Sequence, residues 1–405
     1  MSAARGTVVK RGTRWSVVLD LGMADDGRRL RQWHSGYASK REAERARTEL
    51  LSQLDRGSYV APDKLTLAAF LLDEWLPAIR STLRPTTLEL YRVNITTYIA
   101  PAVVGRMALQ KVTPAALNAF YADLLEDGRS DGHGGLGSKS VRNIHGVLHK
   151  ALADAVRWGR AQRNVADLAA PPRWNRPDMV VWTAEQLRTF LRTVADDRIY
   201  AAWLLLATTG MRRGEVLGLR WSDLDLDQGS AGVVQSRVVA AYGEVLTSEP
   251  KTAKGRRAVA LDAATTAALR AHRAAQAQER LALGPAWRDS GLVFTLADGG
   301  PIHPQRFTAW FGQAAARAGL PRIRLHDLRH SYATLALGAG IHPKIVSERL
   351  GHATVAITLD VYSHVSPSMQ REAAGLVASW LLDEPPVAKW LQSSGREGQT
   401  SPSEG

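Results

Sequence analysis

At 405 residues the chain is long for one ordinary core and suits two or three domains, so linkers are sought before motifs. Its 52 Lys plus Arg against 39 Asp plus Glu give a formal net charge of +13, which favours a polyanionic partner, nucleic acid ahead of an anionic membrane surface. The absence of cysteine excludes disulfide scaffolds, thiolate nucleophiles and Cys-ligated zinc.

Residues 5 to 56 carry 12 Lys or Arg against 7 Asp or Glu. Strand signals at Arg14–Leu19 and Arg29–His34, with Asp25-Asp26-Gly27 between them, predict a hairpin. Ser39 reads as the N-cap of a charged helix through Leu54 that stops at Gly57. From Thr66 to Gly159 the apolar spacing is helical, as in Leu67, Phe70, Leu71, Trp75 and Leu76. Gly128 to Gly137 reads as a loop, after which Ser138 caps a helix to Trp158 that bears Lys139 and Arg142, candidates for tracking a phosphate backbone. Ala169-Ala170-Pro171-Pro172 cannot continue a helix and marks a linker. Beyond it, Thr183-Ala184-Glu185-Gln186 is a capping box and Ala201 to Ala207 a buried helix, too short to span a membrane. Val233–Ala240, Glu244–Thr247 and Arg257–Leu261 predict a three-stranded meander, and the remainder is mostly helical until Pro385-Pro386 opens a polar tail.

The chain therefore reads as mixed and mainly α. Its parts are a small β-sheet-plus-helix module over 1–60, an all-helical domain over 64–165, a linker over 166–178, a mainly helical domain with a three-stranded β-meander over 179–383, and a disordered tail over 384–405. With no apolar leader behind the basic N-terminus, a cytoplasmic location is expected.

The third domain holds residue types that suit phosphodiester exchange without a metal. Charge grows on the non-bridging oxygens in the transition state, and guanidiniums stay protonated and grip phosphate bidentately; Arg212 and Arg329 are the candidates. A phenol forms a phosphodiester that can be resealed, and Tyr362 is the candidate nucleophile. Lys251 can protonate the leaving alkoxide, His326 can take the tyrosine proton or bind phosphate, and His352 can donate to a non-bridging oxygen. Glu215, three residues after Arg212, can orient it. Taken singly, each has a structural reading as an ion pair, a solvated lysine or a packing tyrosine.

Thr209-Gly210-Met211-Arg212, Pro250-Lys251-Thr252, Leu325-His326-Asp327-Leu328-Arg329-His330, Leu350-Gly351-His352 and Asp360-Val361-Tyr362-Ser363-His364 together resemble the tyrosine recombinase, or phage integrase, family over about 64–383. The resemblance implies a SAM-like core-binding domain before the linker, a catalytic domain after it, a 3′-phosphotyrosyl intermediate at Tyr362, and no cofactor or metal. It also implies double-stranded DNA attachment sites, a homotetramer on DNA, a host DNA-bending protein and a directionality factor. The first 60 residues are similar to arm-type DNA-binding modules, with Arg14, Trp15 and Arg31 as contacts; Leu376, Trp380 and Leu381 resemble a helix that docks on a neighbouring protomer. Three rivals remain: a zinc site on His326 and His330, with Asp327 where a metalloprotease has Glu; a type IB topoisomerase; and a catalytically silent DNA-binding protein.

Overall fold

The computed structural model describes residues 5–23, 27–129, 132–175, 179–239, 243–248 and 255–362. Lys251, the end of the linker at 176–178, the Leu376, Trp380 and Leu381 segment and the tail at 384–405 lie outside them. The chain divides into two units, Met1–Pro177 and Asp178–Gly405, and is mainly helical with small antiparallel sheets.

The first unit opens with β1 (Arg5–Arg11), β2 (Arg14–Met23) and β3 (Arg29–Tyr37), an antiparallel sheet in that order. The strand β1 stands in addition to the predicted hairpin. Alternation sorts the two faces of β2: Val17 and Leu19 are fully buried beneath the helix Lys40–Asp55, which presents Ala43 and Leu50 to them. Ser39 caps that helix by accepting from Glu42 N at 3.2 Å.

Helices fill the rest of this unit: runs over 67–79 and 85–99, then Pro114–Asp127 and Ser138–Arg157. The first widens into π-helical turns at Phe70–Trp75, just ahead of Pro77, whose missing N–H would break an ordinary ladder. Phe70, Leu71, Ile95, Leu117, Ile144 and Leu148 share one core, and Trp75 Nε1 donates to the buried Asp154 Oδ2 at 2.8 Å. The cap of the last helix differs from the expectation. Gly137 occupies the N-cap and Ser138 is the first helical residue, with no side-chain cap bond.

In the second unit the Thr183 capping box starts the helix Ala184–Thr193. Tyr200–Thr209 follows, apolar on every side and therefore buried at the centre. Trp182, Phe190, Trp203, Phe307 and Phe311 pack there, with the Trp203 and Phe307 rings stacked at 4.5 Å. Each such burial stabilises by roughly 1.5–3 kcal/mol.

The three expected strand segments are present, but they do not form one meander. β4 (Leu224–Asp225), β5 (Ser230–Val233) and β8 (Arg257–Ala260) make one sheet in the order β4-β5-β8, while β6 (Ser236–Val239) and β7 (Val245–Ser248) form a separate hairpin. The apolar run from Val233 breaks at Val234-Gln235, where Gln235 Nε2 donates to Gly218 O at 2.6 Å and turns the chain from one sheet to the other. The helices Ala263–Leu283, Pro304–Arg317, Asp327–Gly338, Pro343–Leu350 and Val355–Tyr362 complete the unit. Among the described residues no helix is long and apolar enough to cross a membrane.

Candidate active site

Two helix C-termini supply the floor of the site. The last carbonyls of a helix have no partner within it and carry the negative end of its dipole, so they attract cations. Gly210 ends Tyr200–Thr209 at φ +64°; a Cβ there would stand 2.6 Å from Leu350 Cδ2 and 2.7 Å from Tyr332 Cδ1, so glycine is required twice over. Gly351, at φ +67°, ends Pro343–Leu350. Arg329 Nη1 donates to Gly210 O at 2.9 Å, Arg329 Nη2 to Leu350 O at 2.6 Å, and Arg212 Nη2 to Gly351 O at 3.2 Å.

Glu215 ties the arginines together. Only 3% of its side chain is exposed; Oε1 accepts from Arg212 Nη1 at 2.7 Å, and Oε2 from the Arg212 backbone N–H at 2.9 Å and from Arg257 Nη2 at 2.9 Å. Arg257, on β8 and with its side chain 7% exposed, also donates from Nε to Arg349 O at 2.7 Å. Burial alone would raise the Glu215 carboxyl, but the hydrogen bonds and charges of Arg257 and Arg212 outweigh it and hold the group below the usual carboxylate range. Three guanidiniums around one carboxylate leave a surplus of two positive charges (3 − 1). Burial first, then the charges of Arg212 and Arg257 against that of Glu215, lower Arg329 to about 9. It remains protonated at neutral pH in a site short of anions.

Two imidazoles border the cluster. His326 precedes the helix Asp327–Gly338, with its ring 5.1 Å from that of His330 and nearly perpendicular to it. Desolvation first, then the charges of His330, Arg329 and Arg212, lower His326 to about 4. His326 keeps an exposed side. His352 is buried; its Nδ1 meets Thr358 Oγ1 at 2.9 Å, and desolvation followed by the charges of Arg329 and Arg212 lowers it to about 3. Both are neutral at pH 7. The zinc reading loses its water-activating carboxylate: Asp327 accepts from Arg324 N at 2.8 Å, Nε at 3.0 Å and Nη2 at 2.8 Å, and the nearby guanidiniums oppose a further cation.

The structure thus brings together Arg212, Glu215, His326, Arg329 and His352. Tyr362 ends the helix Val355–Tyr362, which packs on Asp327–Gly338 and Pro343–Leu350; its side chain, like Lys251, lies outside the described residues. Arg257 and Thr358 were not anticipated from sequence. The alternation of β8, which turns Arg257 to the same side as the buried Val259, is the signal that could have singled out the arginine.

The first-unit candidates fall into three groups. On the sheet face away from the helix stand Arg14, which donates to Gly36 O at 3.0 Å, and Arg31, opposite Asp20; Arg11 joins them, resting on exposed Trp33 at 5.8 Å. Trp15 points the other way, against the helix-covered core, so its place is packing. Lys139 lies 4.1 Å from the Trp174 ring and Arg142 donates to Pro172 O at 3.3 Å, so both touch the linker.

Residues 181–369 match the Phage integrase family, 7–54 an Arm DNA-binding domain, and 69–125 a Phage integrase, N-terminal SAM-like domain. A tyrosine recombinase XerC-like protein of Caldanaerobacter subterraneus subsp. tengcongensis is 26% identical over 390 residues, covering 92% of this chain and 97% of its own. The ICEBs1 integrase of Bacillus subtilis is 30% identical over 268 residues, covering 66% and 70%. The Tn1549 transposon integrase, solved with transposon right end DNA, has the same fold at a TM-score of 0.65 and 20% identity, covering 77% of this chain and 99% of that one. Matched in family profile, in full-length relatives and in fold, the chain belongs to the phage integrase family of tyrosine recombinases.

Proposed function

We propose that this recombinase cuts and rejoins duplex DNA at attachment sites through Tyr362, integrating or excising a phage or mobile element. The observation that carries the residue assignment is the pair Arg212 and Arg329, held from below by Glu215 and three backbone carbonyls, with positive charge in surplus. Such a pair needs no reorganisation as charge builds on the two non-bridging oxygens. The Tyr362 oxygen bonds to phosphorus while the bond to the 5′ oxygen breaks; the phenolic proton passes to His326 or water, and Lys251 protonates the departing oxygen. His352, with Thr358 Oγ1 on Nδ1, is placed to donate from Nε2 to a non-bridging oxygen. The 3′-phosphotyrosine keeps the bond energy, and attack by another 5′ hydroxyl reverses each step. In this reading the N-terminal sheet and the Lys139 and Arg142 helix hold DNA, four copies act on two duplexes, and a host bending protein and a directionality factor assist.

The test is covalent trapping on nicked duplexes taken from DNA beside the gene. Wild type should give a slow-moving adduct on a denaturing gel and Tyr362→Phe none. Adducts in both would move the nucleophile elsewhere; tight binding with no adduct would mean a silent DNA-binding protein; and relaxation of plasmid lacking any site would mean a topoisomerase.

A further inference from the structure

The second unit holds another pair of guanidiniums that the strand-exchange scheme leaves unused. Arg237, on β6, is 8% exposed, yet its hydrogen bonding among the described residues amounts to one long contact, Nη1 to Ile302 O at 3.5 Å. Arg213, half-buried, donates from Nη1 to Thr308 Oγ1 at 2.8 Å, and that hydroxyl donates on to Pro304 O at 3.1 Å. No carboxylate among the described residues pairs with either arginine. The contrast with Arg257 is direct: it also lies on a strand with a similarly buried side chain, and it has Glu215. A buried guanidinium without a counter-charge is costly unless an anion comes to it.

The backbone explains why the two converge. Gly214 lies so close to β6 that a Cβ there would stand 2.4 Å from Ser236 Oγ and 2.6 Å from Arg237 O, which lays the segment Arg213–Gly218 on that strand. Both side chains then reach the start of the helix Pro304–Arg317, Arg237 at Ile302 just before it and Arg213 at Thr308 in its second turn. This is the positive end of that helix. Adjacent residues of one turn therefore serve different places, Arg212 going to Glu215 and Gly351 and Arg213 to Thr308.

We propose that Arg213, Arg237 and the Thr308 hydroxyl form a second anion pocket, which takes a backbone phosphate of the bound duplex other than the scissile one. The guanidinium fork matches phosphate geometry, and the Thr308 hydroxyl, accepting from Arg213 Nη1, holds that guanidinium in place at the pocket. The occupant rests on the DNA recombinase reading; the pocket itself does not. The pocket fixes where the duplex lies on the catalytic unit, so it positions the scissile phosphate without touching it.

The experiment uses the full chain with Arg213→Met, Arg237→Met and, in case the buried change impairs folding, Thr308→Val. Binding to a core-site duplex is followed by fluorescence anisotropy against salt, and thermal midpoints are measured with inorganic phosphate or chloride at matched ionic strength. Each Arg variant should weaken binding several-fold and flatten the log K against log salt slope by about 0.9. Arg213→Met and Thr308→Val should keep the wild-type midpoint in chloride, Arg237→Met should match or exceed it, and all three should gain less than wild type from phosphate. Unchanged salt slopes in Arg213→Met and Thr308→Val, with a midpoint drop in Arg237→Met, would overturn the pocket and make Arg237 structural. Unchanged DNA binding with altered self-association would overturn the phosphate and give the pocket to a carboxylate of another protomer. Wild type that bound DNA without salt dependence would sink the recombinase reading instead, while the phosphate midpoints would still report on the pocket.

Discussion

Around Glu215 the arginines are tethered, Arg257 and Arg329 buried and Arg212 partly so, whereas on the open face of the N-terminal sheet they are exposed and lightly held. Arg329 is 3% exposed and ends on two backbone carbonyls; Arg31 stands in solvent opposite Asp20, and Arg11 rests on an exposed tryptophan. In the proposed function the first arrangement pre-positions charge for one phosphate group at one geometry. In the same reading the second leaves side chains free to settle on a groove, where affinity comes largely from displaced counterions. Removing a tethered charge should therefore damage chemistry or folding, and removing an exposed one only attraction.

The largest effects are expected in the tethered cluster. Arg329→Ala should slow adduct formation on the order of 100- to 1,000-fold, as for loss of a preorganised charge donor. Its stability should change far less, because the site already carries surplus positive charge. Glu215→Gln should show the reverse emphasis: it strips three guanidiniums of their counter-charge and should cost about 3–5 kcal/mol in denaturant melts. Equal stability losses in the two variants would erase the distinction between a catalytic and a supporting charge.

A medium effect concerns pH. His326 and His352 have folded values of about 4 and about 3, below the ordinary 6.5, so between those values the unfolded chain holds more protons than the native one. Native stability should fall as pH drops from about 6.5 towards 4. Glu215, held below the usual range, adds stability at higher pH that is lost on further acidification. His352→Gln should make the decline from 6.5 shallower. A bound phosphate favours the imidazolium, so the decline should also be shallower with a core duplex present; thermal melts with and without DNA across this range decide it.

The smallest effect belongs to the sheet. Arg31→Ala should weaken binding of arm-type duplexes only a few-fold and flatten the salt slope by about 0.9, with core-duplex cleavage unchanged. If Arg31→Ala impaired cleavage as strongly as Arg329→Ala, exposed and tethered cations would not be separate classes. Trp15→Ala should instead lower the melting temperature, since Trp15 packs under the helix Lys40–Asp55.

Sequence by itself determined the local choices. Ser39 and Thr183 start helices because their oxygens can satisfy free N–H groups, and the uniformly apolar stretch at 201–207 has to be buried. The order and context of Arg212, Lys251, His326, Arg329, His352 and Tyr362 carried the family. What only the tertiary structure decided is non-local. Arg257 meets Glu215 across 42 residues and Arg329 meets Gly210 across 119, joining helix ends that no local pattern relates. The strand run from Val233 divides between two sheets because Gln235 finds a carbonyl of the preceding helix, and Trp15 turns inward because the pleat gives it the same face as Val17 and Leu19. Periodicity reports which side of an element is buried; the partner it meets there depends on packing that brings distant segments together.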